Sequence, residues 1–285
     1  MNLIIEGVLA KATRDYEIDV NHSIFMANHF HMIVTVINPD DVKEFYRYVK
    51  GEIAHAVNRL LGRRKRTVWA DGYDSPIVLD EDKLKNLISY LYLNPLRANL
   101  VNTIDEYPGV SSWKMLKNKH KHKDCIKVPR DKISKLHNPA LSVSEQKDLV
   151  SRYKVNGKSY RLEYKPLSCF YAINPYTKVT QESLIEYIET EEKNFLKTRV
   201  KTETVGITKL RRQSMQKAYT PKKYSPKMIC LSTDKELRKR VIENFKYLCL
   251  VAKKVYEKWK TGDLSPRIPP GMYAPRVPML VSALE

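Results

Sequence analysis

The run His29-Phe30-His31-Met32-Ile33-Val34 admits few conformations. It is apolar and rich in β-branched residues, which favour a pleated strand. Side chains in a strand alternate between two faces, so His29 and His31 share one face while Phe30 and Met32 share the other. One face suits a core. The other carries two imidazoles two residues apart, which can offer ring nitrogens to a single divalent ion. The spacing alone leaves that choice open, because histidines without a metal are commoner than ligands.

The neighbouring segments have equally legible periods. "NLIIEGVLAKAT" places apolar residues at 4, 5, 8, 9 and 12, a helical stripe, and "YEIDVNHSIFMA" reads as a strand leading into the histidine strand. Asn38-Pro39-Asp40-Asp41 is a helix start, with a capping side chain, proline in the first turn and acidic residues beside it. That helix turns Val42, Phe45, Val49, Ile53, Val57 and Leu60 inward and stops near Gly62. "SPIVLD" is a short strand candidate. "DEDKLKNLISYLYLNP" is a second helix, expected to end at Pro95 because the residue before a proline avoids the α region. This order matches most of a βαββαβ unit, an α+β, ferredoxin-like arrangement.

Within that second helix, ~100° per residue puts Leu84, Leu87, Ile88 and Leu91 on the inward side. Tyr90 and Asn94 then lie on one flank of the stripe and Tyr92 on the opposite flank. Tyr73 and Tyr92 remain rival candidates for a reactive phenol.

Charge narrows the partners. There are 51 lysines and arginines against 32 acidic residues, a net charge of +19, and that excess points to a polyanion such as nucleic acid. Arg63, Arg64, Lys65 and Arg66 form a run after the first long helix, and Arg97 follows the tyrosine helix; all five are candidate phosphate contacts. Cys125, Cys169, Cys230 and Cys249 form no CxxC pair, which argues against a zinc ribbon or disulfide framework. No apolar run suits a membrane span and the N-terminus has no signal-peptide layout, so a soluble, cytoplasmic protein is expected.

The basic stretch 114–136 reads as a domain boundary or nucleic-acid-facing linker, with His120 and His122 in a solvated loop. This divides the chain into an N-terminal domain, 1–125, and a basic, mainly helical extension, 126–285. In the extension "TQESLIEYIETEEKNFL" and "TDKELRKRVIENFKYLCLVAKKVYEKWK" are helices, the latter opened by a Thr233/Glu236 capping box. Arg211, Arg212, Lys217, Lys222, Lys223 and Lys227, interleaved with Tyr219 and Tyr224, suit DNA contact or a solvated linker about equally. The proline-rich end "SPRIPPGMYAPRVPML" reads as an extended arm.

"MANHFHMIV", "YLYLNPLRANLV" and "YPGVSSW" resemble, in order, the three signatures of the REP-associated tyrosine transposases, single-tyrosine HUH-type enzymes of the IS200-like superfamily. The resemblance covers residues 2 to 116. It implies an enzyme that cleaves and rejoins single-stranded DNA, often at hairpin ends, through a 5′-phosphotyrosine. Carried onto this sequence, it makes Tyr90 the nucleophile and His29, His31 and Asn94 the ligands of Mg²⁺ or Mn²⁺. Trp69 matches a family tryptophan, although the residues after it depart from the usual pattern; Ser111 and Ser112 read as capping or turn residues. Relatives carry a strand ahead of the first helix, and here the sequence opens within that helix. The ferredoxin-like unit is therefore expected to lack its first strand, leaving the histidine strand with an open edge and the protein poorly stable, aggregation-prone or inactive unless the extension or a second subunit fills the gap. The alternatives are a relative that binds DNA hairpins without cutting, or a basic RNA-binding or structural protein. A homodimer is left open.

Overall fold

The computed structural model describes residues 1–64, 66–70, 73–135, 143–199, 203–211, 228–272 and 275. They fall into two compact units, one of Met1–Tyr73 with Leu84–Ser225 and one of Asp74–Lys83 with Pro226–Glu285. In chain order the elements are α1 (Asn2–Asp15), β1 (Ile18–Phe25), β2 (Phe30–Val36), α2 (Pro39–Leu60), β3 (Ile77–Val78), α3 (Glu81–Arg97), α4 (Trp113–Lys117) and β4 (His122–Lys127). They continue with α5 (Val143–Val155), β5 (Lys158–Glu163), α6 (Ser168–Ile173), α7 (Gln181–Thr198), α8 (Ile207–Arg211), β6 (Cys230–Leu231) and α9 (Lys235–Lys260). The class is α+β, and the later part of the chain is mainly helical.

In the first unit β1 and β2 form an antiparallel hairpin that sets Ile24 opposite His31 and Phe25 opposite Phe30. α2 starts as its sequence dictates: the Asn38 side chain accepts from the Asp40 amide at 3.1 Å, and Pro39 needs no donor in the first turn. It buries Phe45, Val49, Ile53 and Leu60 and stops where Gly62 takes φ +63°, a left-handed turn that glycine adopts without strain. α1 covers this core with Ile4, Ile5, Val8, Leu9 and Ala12.

Residues 114–135 of the basic stretch are structure rather than linker. β4 spans the expected boundary at 125 and pairs antiparallel with β5, and α1 packs against both strands. Its composition misleads because a two-stranded ribbon needs one apolar face only; Cys125 and Leu162 are buried while Lys121, Lys123 and Lys158 are exposed. A carboxylate locks the stretch to α2: Glu52 is 7% exposed and pairs with Lys127 at 2.7 Å and with Arg130. A Cβ on Gly7 of α1 would stand 2.1 Å from the Ile126 carbonyl oxygen of β4, so only glycine permits this approach. Gly7→Ala should therefore lower stability by about 1–3 kcal/mol, the usual range for overpacking against backbone; an unchanged melting temperature would contradict the close contact.

Other elements depart from the sequence reading. The described strands form three two-stranded sheets, β1-β2, β3-β6 and β4-β5, and not the single sheet that the βαββαβ order implies. β3 belongs to the second unit, where it runs parallel to β6. The free side of β1 is met by loop backbone: Phe25 N–H donates to Val110 O, Ser112 N–H to Ser23 O and Lys165 N–H to Val20 O, at 2.9 to 3.1 Å. Among the described residues no strand pairs with the outer edge of β2, although α6 packs on this hairpin. Pro95 does not end α3. It lies in the last turn, where Ala98 N–H still reaches Asn94 O at 2.9 Å and Asn99, at φ 55°, closes the helix.

In the second unit α9 is capped by Asp234, whose side chain accepts from the Glu236 and Leu237 amides at 2.8 and 3.1 Å. Thr233, the expected cap, instead donates through its hydroxyl and its amide to Asp80, so the capping box is not formed. The proline-rich end beyond Met272 lies, apart from Pro275, outside the described residues.

Candidate active site on the histidine strand and the tyrosine helix

The alternation read from the sequence is realised at the start of β2. Phe30 stacks on Phe25 with centroids 5.0 Å apart and meets Trp69 edge-on at 5.3 Å, so this face is core. On the other face the rings of His29 and His31 lie 5.0 Å apart. The hairpin turn holds them, with Met26 N–H donating to His29 O at 2.8 Å, and His29 Nδ1 donates to the Asn28 amide oxygen at 2.7 Å. A ring whose Nδ1 proton is engaged in this way presents Nε2 for ligation.

α3 supplies the rest. Leu84, Ile88 and Leu91 bury the inward stripe, which turns Tyr90 outward at 45% exposed. Its ring lies 6.1 Å from that of His31. Asn94, one turn on, is 8% exposed and lies near enough to His29 for its polar side chain to act on the pKa of that ring. Arg97, two turns on, sets its guanidinium 5.1 Å from the Tyr90 ring centre. Residues i, i+4 and i+7 share one helix edge, so Tyr90, Asn94 and Arg97 face the histidine pair together.

Burial keeps both imidazoles neutral at pH 7. It lowers the pKa of His29 against the raising effect of Asn94, and it pushes His31 down to about 4, reinforced by the nearby charge of His29. Neutral rings have lone pairs to donate. Two imidazoles and an amide side chain adjoin here, and ring nitrogens with an amide oxygen are donors that fit Mn²⁺ or Mg²⁺ when water and phosphate oxygens complete the octahedron. Among the described residues no cluster of three or more His, Cys, Asp or Glu side chains could hold a metal, so this set would rely on the amide.

Tyr92 is a different residue. It is fully buried, and burial raises its phenol pKa far above 10. It belongs to a chain of hydrogen bonds that its sequence neighbours did not reveal. Ser23 N–H donates to Ser112 Oγ at 2.9 Å, Ser112 donates to Tyr92 Oη at 2.7 Å, and Tyr92 donates to His22 Nδ1 at 2.8 Å. His22 Nε2 donates in turn to the Pro166 carbonyl at 3.1 Å. The partners come from residues 20 to 144 positions apart, so no local period could announce them. Burial pushes His22 down to about 4, against the raising effect of Pro166. An imidazole kept neutral by folding favours the native state above its unfolded pKa of 6.5, and that stability is lost as pH falls from 6.5 through 4. The loss should approach about 3 kcal/mol for this group. Melting at pH 7 and pH 4 checks it, and a His22→Gln variant with an unaltered pH dependence would refute the assignment.

The run after α2 is not brought to this site by any contact among the described residues. Arg64 and Arg66 are exposed, Arg63 is half-buried, and none of the three forms an ion pair among the described residues; Lys65 lies outside them. Of the basic residues expected in the extension, Arg211 ends α8, and Arg212, Lys217, Tyr219, Lys222, Lys223, Tyr224 and Lys227 lie outside the described residues. Tyr73 stacks on Tyr46 at 4.6 Å, on the Phe30 side of the hairpin. Ser111 acts as read, its Oγ accepting from Trp113 N–H at 3.2 Å before α4, whereas Ser112 holds the N-cap position without a side-chain capping bond because its hydroxyl is engaged with Ser23 and Tyr92.

Among the described residues no helix is long and apolar enough to cross a membrane. Residues 1–93 match the family described as IS200-like transposases. The chain is also similar to the REP-associated tyrosine transposase of Escherichia coli strain K12, at 20% identity over 106 residues. That match takes in 37% of this chain and 61% of the length of the relative. No solved structure matches. Over its first 93 residues, which carry the histidine pair and the tyrosine, the chain is similar to the IS200-like transposases.

Proposed function

We propose that this protein cleaves and rejoins single-stranded DNA through a covalent 5′-phosphotyrosine at Tyr90, with Mg²⁺ or Mn²⁺ held by His29, His31 and Asn94. The observation that carries the reading is the meeting of an exposed tyrosine and two neutral, adjacent imidazoles at one helix–strand junction, in the segment that matches a transposase family.

The chemistry needs each part. A phenol with an ordinary pKa of about 10 is a weak nucleophile at pH 7 and works only against a polarised, oriented phosphate. A divalent ion, when bound, would withdraw charge from the scissile phosphate and orient it for in-line attack. Tyr90 Oη forms the new P–O bond, the P–O3′ bond breaks, the phenol proton passes to water and the departing 3′-oxygen takes one up. The phosphotyrosine keeps the energy of the phosphodiester, so a second 3′-OH can reverse the step and join new ends. That reversibility separates a strand transferase from a nuclease. Arg97 adds a fixed positive charge beside the nucleophile, and Arg63, Arg64, Lys65 and Arg66 would track the DNA backbone.

The test is covalent trapping of a labelled single-stranded oligonucleotide. The adduct should form with Mn²⁺, vanish in EDTA and be lost in His29→Ala or His31→Ala, with Asn94→Ala milder because water can replace one ligand. Full adduct formation in EDTA would overturn the metal assignment.

A further inference from the structure

We infer that α7, in the C-terminal extension, is a working part of this active site: Phe195 holds the Arg97 guanidinium against the Tyr90 ring, where it clamps the phosphate under attack. The inference rests on the cleavage reading above and adds to it an arginine that touches the phosphate and a positioning residue, Phe195, that lies 82 positions beyond the last of the motifs in sequence.

Arg97 has an unusual environment for an arginine. Its guanidinium lies 5.1 Å from the centre of the Tyr90 ring and 5.8 Å from that of Phe195, and it forms no ion pair among the described residues. Stacking engages the faces of the planar group and leaves its N–H edge free, the edge that binds phosphate oxygens in bidentate fashion. An unrestrained arginine samples many rotamers, and two flanking rings remove that freedom before substrate arrives. A phosphate within reach of Tyr90 Oη is then next to a cation already aimed at it. Charge building on the phosphoryl oxygens during attack, and again during rejoining, meets the same group.

α7 is fixed along the tyrosine helix at both ends, which makes the placement of Phe195 precise. Near the start of α3, Tyr187 donates to Asn86 Oδ1 at 2.6 Å. Beyond its end, Arg199 Nε donates to Asn99 Oδ1 at 3.0 Å, and Ile104 N–H donates to Glu192 at 2.7 Å. Lys117 of α4 pairs with Glu189 at 3.1 Å. Leu184 and Ile188 are buried beneath these contacts. The capping box of Thr180 and Ser183 starts α7 independently of α3. A helix that merely covered the core would have no need of an aromatic ring at 195, which is only partly buried.

The experiment uses the full chain, Mn²⁺ and saturating single-stranded oligonucleotide, and reads the single-turnover rate of adduct formation beside oligonucleotide Kd and melting temperature. Phe195→Leu should slow the adduct by about tenfold, as expected when a stacked cation loses its ring, with Kd within about twofold of wild type. Phe195→Tyr should restore the rate, since the ring face returns. Arg97→Ala should slow it by about 10²-fold or more, comparable to loss of a transition-state donor, and adding Phe195→Leu to Arg97→Ala should cost nothing further. A wild-type rate in Phe195→Leu, equal defects in the leucine and tyrosine variants, or additive losses in the double variant would overturn the proposal. If Phe195→Leu fails to fold, Arg97→Lys decides, because it keeps charge but not the planar stack: a wild-type rate there overturns the proposal and a slowed rate supports it. No adduct from the wild-type chain would overturn the cleavage reading itself, and this proposal with it.

Discussion

Tyr90→Phe is expected to leave no covalent protein–DNA band on a denaturing gel, while oligonucleotide affinity and melting temperature stay close to wild type. Only one oxygen is lost. It belongs to a side chain that is 45% exposed, so little packing depends on it. Tyr92→Phe makes the comparison decisive, since the two phenols are two residues apart on one helix and should fail in opposite ways. Removing the Tyr92 hydroxyl leaves the buried His22 Nδ1 without its donor and reduces the Ser112 hydroxyl to its longer bond to the Ser23 carbonyl at 3.3 Å. Leaving buried polar atoms unpaired should cost about 1–3 kcal/mol in stability. The folded fraction should still form the adduct at the wild-type rate. If Tyr92→Phe abolishes the adduct in folded protein and Tyr90→Phe does not, the helix face has been assigned the wrong way round.

The second large effect concerns the extension. On sequence alone, deleting 130–285 is a way to ask whether a basic arm binds DNA, read from a flatter salt dependence. The packing forecasts a different result: the remaining chain should show no cooperative unfolding transition. β4 would lose β5 and expose a bare edge beside α1. Leu162, Tyr164, Phe170, Leu184 and Ile188, all buried, would vanish, as would the Pro166 carbonyl that His22 requires and the Arg130 partner of Glu52. Each fully buried apolar side chain contributes roughly 1.5–3 kcal/mol, and a domain has about 5–15 kcal/mol in all. Circular dichroism melting of residues 1–129 checks this. A sharp transition would show that the N-terminal part is self-sufficient and that the contacts of α7 and β5 are incidental to it.

Much of the site was legible because its parts lie within two short segments. A period of two set His29 and His31 on one face and Phe30 on the other, and the rings are disposed so. A period of 3.6 put Tyr90 and Asn94 on one edge of a helix and Tyr92 on another, which the exposures of the two tyrosines match. These patterns are local, since they follow from the rise and twist of the backbone, and three to seven residues suffice to read them. Helix starts at Asn38 and Thr180 are equally local, because a capping side chain reaches only two or three residues ahead.

What failed to show in the sequence depends on which surfaces meet. Pro95 reads as a stop, yet at the last turn its missing N–H and its ring clash concern one carbonyl only, and the helix completes. β3 is an apolar dipeptide step that fits any sheet; its parallel pairing with β6, some 150 residues on, was settled by the second unit. The lysine-rich 114–136 stretch hides a strand because hydrophobic content measures total burial, and a ribbon covering one helix buries a single face. His22, Arg97 and Phe195 acquire their partners from residues up to about 144 positions away. Backbone periodicity carries no information over that distance, because the chain between is free to bend; packing of α1, α3 and α7 against one another's neighbours brings those side chains together.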